Sequence, residues 1–177
     1  IQYPVLTFNT RGGDIMDPIP FIWGSYVYTA KYVPVREGYT FKGWYTNLQC
    51  TRKADPVLTL TADKTLYADW QIQKRTLNFN SNGGSAIMPV STNYGNAVNL
   101  QIRIPAKEGC DFTGWFKDPE CTKPAGSSIQ MTVDATLYAG WKTREYSVDF
   151  RTNGGSEQPS LCLEHGSVLD LKNHQPV

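Results

Sequence analysis

The side chains best suited to chemistry in this chain are its four cysteines, two histidines and five tryptophans. The cysteines are Cys50, Cys110, Cys121 and Cys162. Their spacings lack the CxxC pattern that is typical of zinc and redox sites. His165 and His174 have no recurring Asp or Ser partner with which to form a nucleophile–base pair. We therefore expect no enzymatic activity, no metal site and no bound cofactor.

Two of the cysteines lie near each other in sequence. The spacing of Cys110 and Cys121 allows a disulfide across one loop, and it also suits two free thiols. Cys50 is equivalent to Cys121 by position in a repeat but has no neighbouring cysteine of its own. The chain is therefore not a disulfide scaffold, and its cysteines leave the redox compartment open.

Four tryptophans could either form a sugar-stacking platform or fill small hydrophobic cores. They are Trp44, Trp70, Trp115 and Trp141. The core role is favoured, because a small domain needs large aromatic side chains to bury enough apolar area. Trp23 differs, since Tyr94 and His165 occupy the equivalent positions and show that this position tolerates variety. Trp23 and Tyr94 are therefore our candidate ligand-binding residues.

Acidic residues and glycine pairs complete the set of candidate groups. Asp63 and Asp134 could approach calcium, but one carboxylate per turn falls short of the about six to eight oxygen ligands that this ion takes. We expect them to cap turns. The Gly-Gly pairs at 12–13 and 83–84 precede no helical pattern, so they lack the helix N-terminus that binds phosphate.

The elements that position these groups recur at one constant spacing along the chain, without a gap. The Gly-Gly pair at 12–13 returns at 83–84 and again at 154–155. Residues 6–76 and 77–147 are identical at 24 of 71 positions. Self-similarity at a fixed period indicates an array of equivalent structural units. A module copied in tandem more often supplies length, valency or a repeated binding face than a catalytic site.

The length of 177 residues accommodates two complete repeats and part of a third. We predict modules at 1–73 and 74–144 and a partial module at 145–177 that contains only an N-terminal hairpin. The chain therefore looks like part of a longer polypeptide. Seventeen basic and 16 acidic residues nearly cancel, which argues against a nucleic-acid partner. No apolar run reaches the ~18 residues that span a membrane, so we expect no membrane insertion of this fragment.

The hydrophobic pattern of each repeat predicts about five strands and at most one helical turn. In the first repeat the predicted strands are 6–10, 26–29, 39–45, 57–60 and 65–70. The second strand is interpreted as the return arm of a hairpin with the first. A helical turn is predicted at 34–38, between a proline and a glycine. Gly43 inside its strand indicates a bulge or a close backbone approach.

The third repeat contains only the first two of these strands, predicted at 148–151 and 168–171. An isolated two-stranded hairpin is marginal in water. We therefore expect the hairpin 148–171 to be stabilised by contact with the second module or with another chain.

The ordered motifs of the first repeat are specific: LTFNTRGG, then GYTFKGWYT, then TLYADW. The second repeat contains FNSNGG, EGCDFTGWF and DATLYAGW, and the third opens with VDFRTNGGS. This set resembles the Listeria–Bacteroides repeat, known in internalin B as the B-repeat. The resemblance covers essentially the whole chain. It departs at Cys110, which replaces Tyr39, and in the missing later strands of the third repeat.

The resemblance implies a mostly β fold built of small, tandem, β-grasp-like modules, similar to ubiquitin-type folds but poor in helix. It also implies an extracellular location, on the bacterial cell surface or secreted. There the modules would act as non-catalytic stalks or spacers, with a role in adhesion. The alternatives are a module that binds glycans or host or matrix proteins, and an accessory region of a larger secreted enzyme.

Overall fold

The computed structural model describes residues 2–175, and the chain is mostly β, as predicted. The described residues form two compact units. The first extends to Arg75 and includes Thr92–Gly95, and the second comprises Thr76–Ser91 and the residues from Asn96 onward. The module boundaries at 73 and 144 remain predictions.

The first unit contains six strands in sequence order. They are β1 (Val5–Asn9), β2 (Ile19–Pro20), β3 (Ser25–Tyr28), β4 (Tyr39–Tyr45), β5 (Val57–Leu60) and β6 (Lys64–Ile72). Four of them form a sheet in the order β2-β1-β6-β4. The first and last strands, β1 and β6, are parallel neighbours, with Leu6 opposite Lys64 and Asn9 opposite Tyr67. The long crossover between them supplies the other strands.

Strand β4 runs antiparallel to β6, and its register shifts between Phe41 and Gly43. This confirms the bulge that the glycine predicted. Gly43 has φ 131°, a conformation that a residue without a Cβ adopts at little cost. The bulge lets Phe41 pair with Trp70 and Trp44 pair with Ala68.

Strands β3 and β5 form a separate two-stranded ribbon. Buried side chains alternate with exposed ones along both strands, so one face of the ribbon is buried and the other meets solvent. The ribbon and the sheet enclose one core. Its buried members are Leu6, Phe8, Val27, Trp44, Ala54, Leu58, Leu60, Leu66 and Ala68.

The second complete repeat of the sequence has the same architecture. Its strands are β7 (Lys74–Asn80), β8 (Val90–Asn93), β9 (Ala97–Asn99), β10 (Cys110–Phe116), β11 (Ser128–Gln130) and β12 (Ala135–Thr143). The sheet order is β10-β12-β7-β8, β12 and β7 are parallel, and β9 pairs with β11. Two complete repeats of one sequence pattern thus adopt one topology, as the period predicted.

Two sequence-based predictions about the repeat are wrong. The segment 26–29 is not the return arm of the opening hairpin, because β3 pairs with β5 and the return arm is the two-residue strand β2. The helical turn predicted at 34–38 is absent, and a 3-10 turn lies at Thr29–Lys31 instead. Alternation identifies strands but not their partners, and Pro and Gly also bound the simple turn seen at 37–38.

The third repeat forms a hairpin, but not from the segments expected. Strand β13 (Glu145–Val148) pairs with β14 (Leu161–Glu164), and 149–151 and 168–171 contain no strand. The segment 168–171 is equivalent to 26–29, which contains the last three residues of β3. Val168 is 94% exposed, whereas its equivalents Tyr26 and Ala97 lie in strands.

Candidate functional site

The central indoles of the two units fill their cores. Trp44 and Trp115 are each 3% exposed. Their indole N–H groups donate to the carbonyl oxygens of Tyr32 at 2.6 Å and Arg103 at 2.7 Å. Each ring also contacts the phenylalanine of the opening strand, with centroids 5.1 Å apart in the first unit and 4.8 Å in the second. A buried tryptophan with a satisfied N–H is a packing element of the core.

The second indole of each unit covers the glycine pair. Trp70 and Trp141 are half-buried and donate from Nε1 to the carbonyls of Thr10 at 2.8 Å and Ser81 at 2.9 Å. A Cβ on Gly13 or Gly84 would collide with the indole ring that lies against it. The glycine pairs therefore provide flat backbone for an indole, whereas the glycine of β4 forms the bulge.

Every aromatic residue that is identical in the two complete repeats is at least partly buried. The pairs are Phe8 and Phe79, Phe41 and Phe112, Trp44 and Trp115, Tyr67 and Tyr138, and Trp70 and Trp141. The repeated aromatics thus maintain two cores and do not form a repeated exposed platform.

Of the two candidate ligand-binding residues, Trp23 is free on the surface and Tyr94 is engaged. Trp23 is 55% exposed. Tyr94 belongs to the segment of the first unit at 92–95, and its hydroxyl donates to Glu37 Oε1 at 2.6 Å. Its ring lies directly against Gly38, where an added Cβ would collide with it. The structure therefore does not bring Trp23 and Tyr94 together in one site.

The hydroxyl of Tyr94 is electrostatically coupled to its acceptor. Its pKa is raised above the ordinary value, first because it donates a hydrogen bond to Glu37, and further by burial and by the charge of that carboxylate. The Arg75 guanidinium lies 5.8 Å from the ring centroid and acts in the opposite direction. The neutral phenol is thus the form that this contact favours.

The second unit contains the same contact with a different ring. His165 lies against Gly109, which is buried and would likewise have no room for a Cβ. The ring of Tyr146 is 5.9 Å from that of His165. Arg144 Nε donates to Asp111 Oδ1 at 2.8 Å beside it, and this bond raises the pKa of the guanidinium. Sequence reasoning missed this glycine–ring contact, although the recurring Glu-Gly pair was its visible signal.

Two other surfaces have apolar character, and the first of them does not recur. Tyr26 and Tyr28 point outward from β3 and are 72% and 54% exposed, and Ala97 and Asn99 replace them in the second repeat. The second unit has an open pocket over Trp115. Its lining includes Leu100, Ile104, Phe112 and Gly114.

The cysteines and carboxylates form no reactive centre in the described part of the chain. All four thiols are free, so Cys110 and Cys121 are not joined in the structure, and that pairing remains a prediction. Burial, followed by the nearby Asp118, raises the pKa of the Cys121 thiol. Asp63 and Asp134 accept backbone N–H groups from Val5 and Thr76 at 2.8 and 2.7 Å.

Those two bonds connect the turn before the last strand of each repeat to the start of its first strand. Within residues 2–175, no group of three metal-ligating side chains converges. None of the helices in that range has the length and apolar character needed to cross a membrane.

Comparison with known proteins gives one family match. The model of the Listeria-Bacteroides repeat domain matches residues 5–69 and 76–140. These two ranges together cover more than half of the chain and correspond to its two complete repeats. No solved structure matches the chain.

Three curated proteins illustrate the similarity. Two are from Evansella cellulosilytica. One, named "Putative membrane protein", is 36% identical over 171 residues, which is 96% of this chain and 26% of that protein. The other, named "Putative Gly-rich membrane protein", is 34% identical over 167 residues, which is 93% of this chain and 19% of that protein.

The third is Internalin H of Listeria monocytogenes, 34% identical over 85 residues, which is 47% of this chain and 15% of that protein. The chain therefore spans about a quarter or less of the length of each of these relatives.

Proposed function

The chain belongs to the Listeria-Bacteroides repeat domain family, and on that premise we propose that it is a non-catalytic spacer that presents other parts of a bacterial surface or secreted protein. One observation carries the proposal: the aromatic residues that recur identically are used for packing, and none is exposed. A tandem binding module would repeat its contact surface so as to gain avidity. Here the exposed aromatic surface of β3 occurs in the first repeat alone.

We further propose that each complete repeat is a β-grasp-like module, similar to ubiquitin-type folds but poor in helix. The support is the parallel pairing of the first and last strands at the centre of each four-stranded sheet. The position that a helix occupies in ubiquitin-type folds would be taken by the two-stranded ribbon of β3 and β5, or of β9 and β11.

The proposed location is outside the cell, at the bacterial surface. It is supported by the names of the two Evansella proteins, which refer to membranes, and by the similarity to Internalin H. Because the chain matches only a fraction of each relative, it would act as one region of a larger protein.

The spacer function can be tested by exchange in the complete parent protein. This region is replaced by an unrelated array of two small β modules of similar length, and a short flexible peptide replaces it in a second variant. We expect the first variant to retain surface display and antibody access to the flanking domain, and the short variant to lose access. Loss of antibody access to the flanking domain in both variants, with surface display intact, would contradict a pure spacer.

The second candidate is a binding module for a glycan or for a host or matrix protein, and it is favoured by the exposed Tyr26 and Tyr28. The test is a glycan and matrix-protein array on the complete chain and on a Tyr26→Ala, Tyr28→Asn variant, which copies the second repeat. Saturable binding that the variant loses would support this candidate over the spacer. The expectations that Trp23 and Tyr94 contact a ligand, and that the region serves a secreted enzyme, remain untested.

A further inference from the structure

Three aromatic positions that are equivalent in the three repeats share one backbone geometry. The amides of Trp23, Tyr94 and His165 donate to the carbonyls of Gln2, Gln73 and Arg144 at 3.1, 2.8 and 2.8 Å. A glycine with φ between 80° and 84° follows each of them. The backbone that presents the ring is therefore the same at all three positions, including the one whose ring is exposed.

Two of the three rings contact the same partner structure. Tyr94 covers Gly38, and His165 covers Gly109. Both glycines follow a glutamate, have φ of 75° and 65°, and are buried. They are required on two grounds, since the positive φ disfavours a side chain and the ring occupies the space of a Cβ. We call this partner the Glu-Gly turn.

A second bond accompanies the ring contact. The amides of Gln73 and Arg144 donate to the carbonyls of Gly38 and Gly109, each at 2.8 Å. Gln2 is the equivalent residue beside Trp23, and among residues 2–175 no backbone carbonyl accepts its amide. Both elements that meet a Glu-Gly turn, the ring and the neighbouring amide, are thus present and unused at the first position.

We propose that Trp23 and the Gln2 amide form a docking surface for the Glu-Gly turn of a further repeat of this family. The bound turn would lie under the indole as Gly38 lies under Tyr94, and its glycine carbonyl would accept the Gln2 amide. The proposal goes beyond the spacer function, since it assigns a partner to a particular surface and holds whether or not the parent protein uses the array as a spacer.

A further repeat fits this surface better than a second copy of the same chain. The two Glu-Gly turns of this chain are already covered by Tyr94 and His165, so a second copy would have to displace one of these rings. The range of rings at the three positions, indole, phenol and imidazole, also fits a flat backbone partner. A glycine turn requires only a planar ring, whereas a glycan site would depend on the size and polar groups of that ring.

The test lengthens the chain by one repeat. Residues 1–76 are joined directly to residues 6–177, which adds one complete repeat in register and places a second Trp23 opposite the Glu-Gly turn at 37–38 of the first copy. The protein is labelled with 5-fluorotryptophan, and Trp23→Phe in each copy assigns the two resonances. The measured quantity is the 19F shift between H2O and D2O, which reports contact of the indole with solvent.

We expect the first Trp23 to keep the solvent shift that it has in the original chain and the second to lose most of it. Equal solvent shifts for the two copies would overturn the proposal. The second measurement is the urea midpoint for Trp23→Ala. We expect no change in the original chain and a lower midpoint when the second copy is substituted in the lengthened chain.

An unchanged midpoint in the lengthened chain would also count against the proposal. Neither readout involves surface display, so failure here leaves the spacer function standing, and failure of the exchange experiment leaves this docking surface standing.

Discussion

The replacement of Trp44 by alanine provides the most direct test of the packing role of the indoles. Trp44 is 3% exposed, contacts Phe8 and Phe41 with centroids 5.1 and 5.3 Å away, and satisfies the carbonyl of Tyr32. Truncation of such a side chain costs about 3–5 kcal/mol through lost burial and the remaining cavity. At about 0.05–0.15 kcal/mol per residue, a unit of roughly 71 residues has about 4–11 kcal/mol in total.

The substitution should therefore remove between about a quarter and all of the stability of the first unit. The assay is urea unfolding followed by NMR of the indole N–H groups, which separates Trp44 and Trp70 of the first unit from Trp115 and Trp141 of the second. The matched control is Trp23→Ala, which removes the same side chain from the surface and should change the stability by about 0.5 kcal/mol or less.

Two results would refute this reasoning. One is a loss below about 1 kcal/mol for Trp44→Ala, because a core tryptophan cannot be removed so cheaply. The other is an equal loss for Trp23→Ala. The Trp115→Ala variant repeats the test in the second unit and should lower the stability there by a similar amount, since the local geometry is the same.

Three further predictions concern the glycine–ring contact and the thiols. Gly109→Ala should lower the urea midpoint more than Gly126→Ala, because both have positive φ but only the first meets a ring, that of His165; equal losses would count against the contact. The pKa of Tyr94 should lie above that of an ordinary tyrosine. Its contact with Glu37 therefore stabilises the fold below a pH of about 10, and this stabilisation is lost as the pH rises through the raised pKa. The pKa is measured from absorbance at 295 nm, with the Tyr94→Phe variant subtracted as the reference. Glu37→Gln should lower the pKa of Tyr94, and an unchanged pKa would exclude the hydrogen bond to Glu37 as the cause of the shift. Alkylation of the unfolded, unreduced chain should modify all four cysteines when the thiols are free as they are in the structure, whereas two protected thiols would support the pairing of Cys110 with Cys121.

The strands that sequence predicted best are those whose ends are marked by turn residues. The spans of β4 and β5 in the first repeat match the predicted 39–45 and 57–60. Alternation sets the buried face, and the flanking glycine, proline and aspartate residues set the ends. The equivalent of β5 in the second repeat is shorter, Ser128–Gln130, and the buried Met131 lies just beyond it.

Pairing partners could not be predicted from the same pattern. The ribbon joins β3 to β5 across the whole of β4, and nothing in the alternation of Tyr26 to Tyr28 distinguishes β5 from β1 as the partner. The same error affects the third repeat, where the sequence predicts a hairpin at 148–171. The paired strands of the third repeat lie at 145–148 and 161–164 because β14 corresponds to the return arm.

The sequence predicted the aromatic position of the candidate site but not the contact that its ring makes. The variable aromatic position at Trp23, Tyr94 and His165 could be recognised from the period. The Glu-Gly pair also recurs, but its contact with this ring could not be predicted, because Gly38 and Tyr94 belong to different repeats of the sequence and meet only in the folded chain. The glycine after each Pro-x-x-Glu segment is interpreted as the end of a helical turn, whereas in the structure an aromatic ring packs directly against it.

The parallel pairing of β1 with β6 has a mechanical consequence. The chain enters each complete repeat at the start of its first strand and leaves from the end of its last, and these two strands are adjacent and point the same way. Tension applied through the chain ends would slide one strand along the other and strain the bonds from Leu6–Lys64 to Asn9–Tyr67 simultaneously. Bonds that must rupture together resist rapid pulling far better than bonds that open one by one, so each repeat would act as a link that withstands traction before it extends.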